Sequence, residues 1–394
     1  MIYNFDDMVD RRGTYSVKWD ILPDGATADA LPLWIADMDF PCAQPIIDAM
    51  HKRVDRLIFG YTEYDTDDLK NAITNWHKKR YSWIVPREDI FYTPGIVPGL
   101  ALLINALTEE NDGVIIQPPV YYPFAMKIES NNRKVVRNPL KYNDGHYTMD
   151  YEDLETKMAD PNNKGIVLCN PHNPVGRVWT KGELYKVIEI AKKYNKWIIS
   201  DEIHADLIRK NSTFTNTESA FPEYKDEIIT LTAPSKTFNI AGLKMSNVVI
   251  HKEEYKQKFL DIQNSKFGLG GVSPIGVAAA IAAYNEGEDW LRQLNEYIDE
   301  NIKYCTEFFK KELPKSVPVE MEGTYLLWVD LSAYVADCKE LEKVMLKDAK
   351  VALDEGYIFG EEGKGFERLN LACPRSMLTD CMNRMKEALL SLEK

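Results

Sequence analysis

The chain has six cysteines and six histidines in 394 residues, and no two cysteines form a C-x-x-C pair. A structural metal centre needs clustered thiolates and imidazoles, so none is expected. The thiols, at positions 42, 169, 305, 338, 373 and 381, are scattered. Such scattering gives no disulfide framework and fits a reducing cytoplasm. Positive charge is in deficit: 48 Lys and Arg face 61 Asp and Glu, a formal net charge of −13. Nucleic acid and anionic membrane are therefore not expected partners. No apolar run reaches the roughly 20 residues of a membrane span. VAAAIAAY, 277–284, is too short and reads as a buried helix. The opening MIYNFDDMVDRRG lacks the apolar core of a signal peptide. Also absent are a G-x-G-x-x-G fingerprint, internal repeats and low-complexity segments.

What is present is a set of strand-like runs that each end in a polar cluster. IITLT, 228–232, leads through Pro234 to Lys236, flanked by Ser235 and Thr237, and then through Gly242 to a second run, MSNVVI. KWIISDEIH carries Asp201, and KGIVLCNPHNPVG ends in Asn170–Gly176. Open α/β sheets bind ligands at the carboxyl ends of their strands, so three such ends predict one shared site. REDIFYTPGIVPGL reads as strand, turn and helix. Gly95 lets backbone approach a ligand. The helix starting near Val97 offers unpaired N–H groups, an anion site. In GVIIQPPVYYPF the prolines hold Tyr121 and Tyr122 out of any helix.

Helices are expected near 43–58, 67–81, 125–131, 151–159, 180–194, 252–263 and 274–311, the last broken near Gly287. Alternation of strands and helices predicts a mostly parallel, helix-covered sheet. The C-terminal part reads as α+β, with strands near 318–321, 324–331 and 367–373 and helices near 339–354 and 378–392. The expected division is an arm over 1–45 that joins a smaller domain, a large domain over 46–283, and the small domain over 284–394.

NPHNPVG, SDEIH and SKTFNIAGL, in this order and spacing, resemble the fold-type I pyridoxal-phosphate (PLP) enzymes of the class I/II aminotransferase superfamily. LPLWIADMDFP and ERLNLACPRS resemble its cystathionine β-lyase branch, the C–S lyases of MalY/PatB type. The resemblance covers nearly the whole chain. It implies a large domain with a mostly parallel seven-stranded sheet, a smaller α+β domain and a homodimer. It makes Lys236 the Schiff-base lysine and Asp201 the partner of the pyridine nitrogen. Tyr121 stacks on the ring and helps place the substrate sulfur. Asn173 reaches the phenolic oxygen and the substrate. The phosphate falls to the Gly95–Ile96–Val97 backbone and to Tyr61 of a neighbouring subunit. Arg368 grips the substrate carboxylate, with Ala36 and Asp37 of the arm beside it. Arg375 is the competing guanidinium, which the residues alone do not separate from Arg368.

Three positions depart from the common aminotransferase pattern. His204 stands where tyrosine is usual, and either sets the phenolic oxygen or is simply packed. Lys244 replaces a phosphate-binding arginine, as a point charge. Ala233 replaces a phosphate-binding serine, leaving Ser235 or Thr232 as substitutes. The lyase signatures imply α,β-elimination of an L-cysteine S-conjugate such as L-cystathionine. An aminotransferase and a PLP-binding regulatory protein are the alternatives.

Overall fold

A computed structural model describes residues 1–392. Seven strands form its central sheet: β1 (Ile90–Thr93), β2 (Gly113–Ile116), β3 (Lys134–Arg137), β4 (Asn163–Cys169), β5 (Trp197–Asp201), β6 (Ile228–Thr232) and β7 (Ser246–Val249). Their order is β1-β7-β6-β5-β4-β2-β3. Only β7 runs against its neighbours, β1 and β6; the other pairs are parallel. β2, β5 and β6 are buried at every residue. That is the expected state of parallel strands covered by helices on both faces.

Parallel pairing decides where the chemistry gathers. Cys169 pairs with Asp201, and Asp201 with Leu231. The carboxyl ends of β4, β5 and β6 therefore lie side by side. At the end of β1, Gly95 adopts φ +149°, and α1 (Ile96–Leu107) starts immediately after it. Four elements thus deliver residues to one edge.

A second sheet, antiparallel, holds β8 (Val317–Pro318), β9 (Leu326–Asp330), β10 (Asp354–Glu355) and β11 (Phe366–Asn370) in the order β8-β9-β11-β10. The arm is stitched to this part. Leu31–Pro32 pairs in parallel with Val351–Ala352. Asn370 Nδ2 donates to the carbonyls of Ile35 and Asp37 at 2.7 and 2.6 Å. Lys18, with no exposed surface, donates to Asp39 at 2.6 Å, and Trp19 Nε1 donates to the same carboxylate at 2.8 Å.

Two sequence expectations fail here. The helix expected over 339–354 spans Cys338–Lys343 and widens to π turns over Val344–Asp348. It then stops, because Lys350 is left-handed at φ +55° and the buried Val351–Leu353 run is extended. Burial on both faces hid the period that separates strand from helix. The strand expected over 367–373 ends at Asn370.

Candidate active site

Lys236 projects from the short helix Pro234–Thr237, which begins two residues after β6. It faces a cavity of about 230 Å³ and donates from Nζ to the Ala36 carbonyl at 2.5 Å. Asp201, at the end of β5, lines the same cavity. It is 3% exposed, and one oxygen accepts the Ile203 N–H at 3.1 Å. Burial drives the two groups in opposite directions. It pulls the lysine down to about 8 and pushes the aspartate up to about 7. A half-buried amine and a buried carboxyl in one cavity, both changing charge near neutrality, mark a functional site rather than a surface pair.

The remaining walls are close-set. Tyr121 is fixed by its own N–H on the Asn173 carbonyl at 3.0 Å. Asn173 lines the cavity and accepts from Arg368 Nη1 at 3.0 Å through its side chain. His204 also lines it, and its Nδ1 is buried without a partner among the described residues. Burial, then the nearby Lys236 and Arg368 charges, pull this imidazole down to about 3, so it is neutral. At the other end stand the first residues of α1, Ser235 and Lys244. The first N–H groups of a helix have no intrahelical acceptor and favour an anion. Ala36 closes the cavity from the arm.

The structure settles where the remaining expected residues lie. Ser235 lines the cavity, whereas the Thr232 hydroxyl is buried and takes Asn247 Nδ2 at 3.2 Å. Arg375 is elsewhere, its Nε on Asn301 at 2.8 Å. Asp37 does not line the cavity; its carboxylate is turned to Arg11, which donates to both oxygens at 2.9 and 2.8 Å. Tyr61 is fully exposed and does not enter the cavity of its own chain. Arg368 sits behind the wall, not in it: its fork donates to Asn173, to the Trp34 carbonyl at 2.9 Å and to the buried Asp354.

Asp354, Trp34 and Tyr325 are functional neighbours that sequence reasoning missed. Asp354 was hidden inside the expected helix. Tyr325, with no exposed surface, donates to the Ala36 carbonyl at 3.0 Å. The stretch GTYLLW reads only as strand, so nothing singled it out.

The donor set matches PLP group by group. A half-buried amine suits an aldehyde, a buried carboxyl suits a ring nitrogen, an aromatic face suits the ring, and a helix start with a hydroxyl and an ammonium suits a phosphate. Fold and cavity together define a fold-type I PLP enzyme. The chain belongs to the class I and II aminotransferase family, whose model matches residues 28–385. It is 42% identical over 388 residues to cystathionine β-lyase PatB of Bacillus subtilis, covering 98% of this chain and 100% of that protein. Protein MalY of Escherichia coli is 33% identical, covering 96% of each. Among solved structures, cystalysin from Treponema denticola, which contains a PLP cofactor, superposes with a TM-score of 0.96 at 38% identity and covers 100% of both chains. The PLP-bound C–S lyase from Staphylococcus hominis gives 0.93 at 35% identity, covering 99% of each chain.

Proposed function

We infer that this chain is a PLP-dependent carbon–sulfur β-lyase. Its substrates are L-cystathionine and related L-cysteine S-conjugates, and its products are a thiol, pyruvate and ammonia. The observation that carries the reading is the enclosure of Lys236 and Asp201 in one cavity, in a chain 42% identical to a cystathionine β-lyase.

When bound, PLP supplies the electron sink that makes the substrate Cα proton labile. The protein's part follows from the geometry. Lys236, pulled to about 8, passes readily between ammonium and amine, so it can tether the cofactor and later take the proton from Cα. Asp201, as a carboxylate, would hold the opposing charge at the ring nitrogen. Arg368, with Asn173, takes the substrate carboxylate in its planar fork. Tyr121 would pack its face on the ring and help place the sulfur, and the helix start, Ser235 and Lys244 would hold the phosphate. In the elimination, Cα–H and Cβ–S break and the Cα–H pair becomes a Cα–Cβ double bond; the proton goes to Lys236, and the sulfur leaves with the Cβ–S pair as a thiolate. Water then releases pyruvate and ammonia.

The same reading includes a homodimer. Leu57, Ile58, Phe59 and Tyr61 form an exposed apolar run. Such an exposed run, whose Tyr61 does not line the cavity of its own chain, supports burial against a second copy. The division at residues 45 and 283 belongs to it as well, supported by the two separate sheets. A cytoplasmic setting is supported by six free cysteines.

The test is incubation of the purified protein with PLP and L-cystathionine. Pyruvate and homocysteine in equal amounts support the lyase. Conversion only when a keto acid is supplied, without free thiol, assigns a transaminase instead. For the dimer, Tyr61→Ala and Lys236→Ala chains, each inactive, are mixed and reassembled. Each heterodimer should hold one intact site, and no recovery would mean that Tyr61 does not act across an interface.

A further inference from the structure

Beside the active-site cavity lies a second groove, of about 410 Å³, between the arm and the Asn239–Gly242 loop. The two share Ala241 as a wall, and Ala36 of the first is followed directly by Asp37 of the second. They therefore meet along two rims.

The groove has a chemistry of its own. Arg11 and Asp37 form a two-point ion pair in its wall, and their side chains are 22% and 24% exposed. Lys18 is shut from solvent behind them, and Asp39, which also lines the groove, is only 2% exposed and accepts from Arg11 Nη1 at 2.8 Å. Two cations and two anions make the cluster neutral, yet it shows one charge of each sign to the groove. A zwitterion matches that surface with both ends, whereas a tail of single charge leaves one group unmatched. Val9, Met38 and Phe40 supply apolar wall for methylene groups. A Cβ built on Gly242 meets nothing within 4 Å, so that wall is open.

We propose that this groove is the subsite for the distal half of a thioether substrate: a short methylene chain ending in a zwitterionic α-amino acid. Its carboxylate lies on Arg11 and its ammonium on Asp37. The assignment rests on the lyase reading and narrows it. Thioethers with an amino acid at each end are the preferred substrates, and simple S-alkyl cysteines leave the groove empty.

Two variants fill the groove from different walls, Gly242→Leu and Val9→Trp. Neither residue has a role in the reaction derived above. KM and kcat are measured for L-cystathionine and for S-methyl-L-cysteine, with the absorbance of bound PLP as the check that the site is intact. The expected result is a KM for cystathionine raised about tenfold or more in both variants, with kcat kept and the values for S-methylcysteine unchanged. Equal effects on the two substrates, or none on either, overturn the subsite while leaving the lyase standing. Wild-type protein that cleaves neither thioether removes the lyase reading and the subsite with it.

Discussion

The hydroxyl of Tyr325 donates to the carbonyl oxygen of Ala36 at 3.0 Å, on the same oxygen that receives Lys236 Nζ. Once Lys236 is committed to the cofactor, Tyr325 remains to hold Ala36, and with it the arm that covers the cavity. Tyr325→Phe removes that bond and leaves a buried carbonyl short of a donor. The expected loss is about 1 kcal/mol of positioning, or roughly a fivefold fall in kcat/KM. PLP absorbance should be unchanged, because Tyr325 does not line the cavity wall. A variant with wild-type kcat/KM would show that the arm is held by its other contacts alone.

Asp201 and Lys236 tie the stability of the cofactor-free protein to pH. For Asp201 the folded value, about 7, lies above the ordinary 3.8. Between these values the folded state holds a proton that the unfolded state has lost, so stability falls as pH rises. For Lys236 the folded value, about 8, lies below the ordinary 10.5, so stability rises across that interval and the cost is borne below it. Each shift corresponds to about 3–4 kcal/mol, as an order of magnitude. Asp201→Asn should therefore melt higher than wild type at pH 8, without cofactor, and by little at pH 4. The same variant should lose most of its lyase activity. Equal melting temperatures at both pH values would mean that the buried carboxyl carries no such cost.

Much of this site was legible because parallel topology converts sequence order into proximity. Lys236, Asp201 and Asn173 each follow a continuous apolar run, and runs of that kind pair side by side with their carboxyl ends together. Gly95 was legible as a turn before a helix, and the φ of +149° bears out the need for a special backbone. What escaped were contacts made by groups with no local signature. The Ala36 and Trp34 carbonyls are backbone, and backbone acceptors carry no residue code. The Asp37 carboxylate lies on the neighbouring groove and not in the cavity, because its partner Arg11, 26 residues away along an irregular arm, is brought to it only by the fold. Asp354 was lost because the Val351–Leu353 run before it is buried throughout, which erases the difference between a strand and a helix in the pattern.

Arg368 and Asp354 form a buried ion pair, with side chains 3% and 10% exposed. Removing one partner of such a pair leaves the other charge unmatched, at a typical cost of 3–5 kcal/mol. Asp354→Ala should therefore lower the melting temperature and also raise KM, since Arg368 is no longer aimed from behind. Arg368→Lys keeps the charge but cannot supply the fork that reaches Asn173, Trp34 and Asp354 together. It should reduce kcat/KM by about 10- to 100-fold with a smaller change in stability. An Asp354→Ala variant as stable as wild type would mean that the guanidinium finds another buried acceptor.

His251 follows β7 at the opposite edge of the central sheet, and both of its ring nitrogens face carboxylates: Nδ1 meets Asp89 at 2.6 Å and Nε2 meets Glu218 at 2.7 Å. A neutral imidazole has one N–H and can satisfy only one of them, so this geometry requires the cation. Burial opposes the charge, and the hydrogen bonds to Glu218 and Asp89 overcome it, raising the group above its ordinary 6.5. A raised value means that the stabilisation is fully present below pH 6.5 and is lost as pH rises through the folded value. The contacts join β7 to the residues before β1 and to the short helix Thr217–Ala220, far from Lys236 along the strands. His251→Gln should thus destabilise the protein by about 3 kcal/mol at pH 6. Its deficit should shrink as pH is raised, and kcat for cystathionine should be retained. Melting curves of the two proteins from pH 6 upward make the measurement, and a deficit that stays constant with pH would show that the ring is held by packing rather than by its charge.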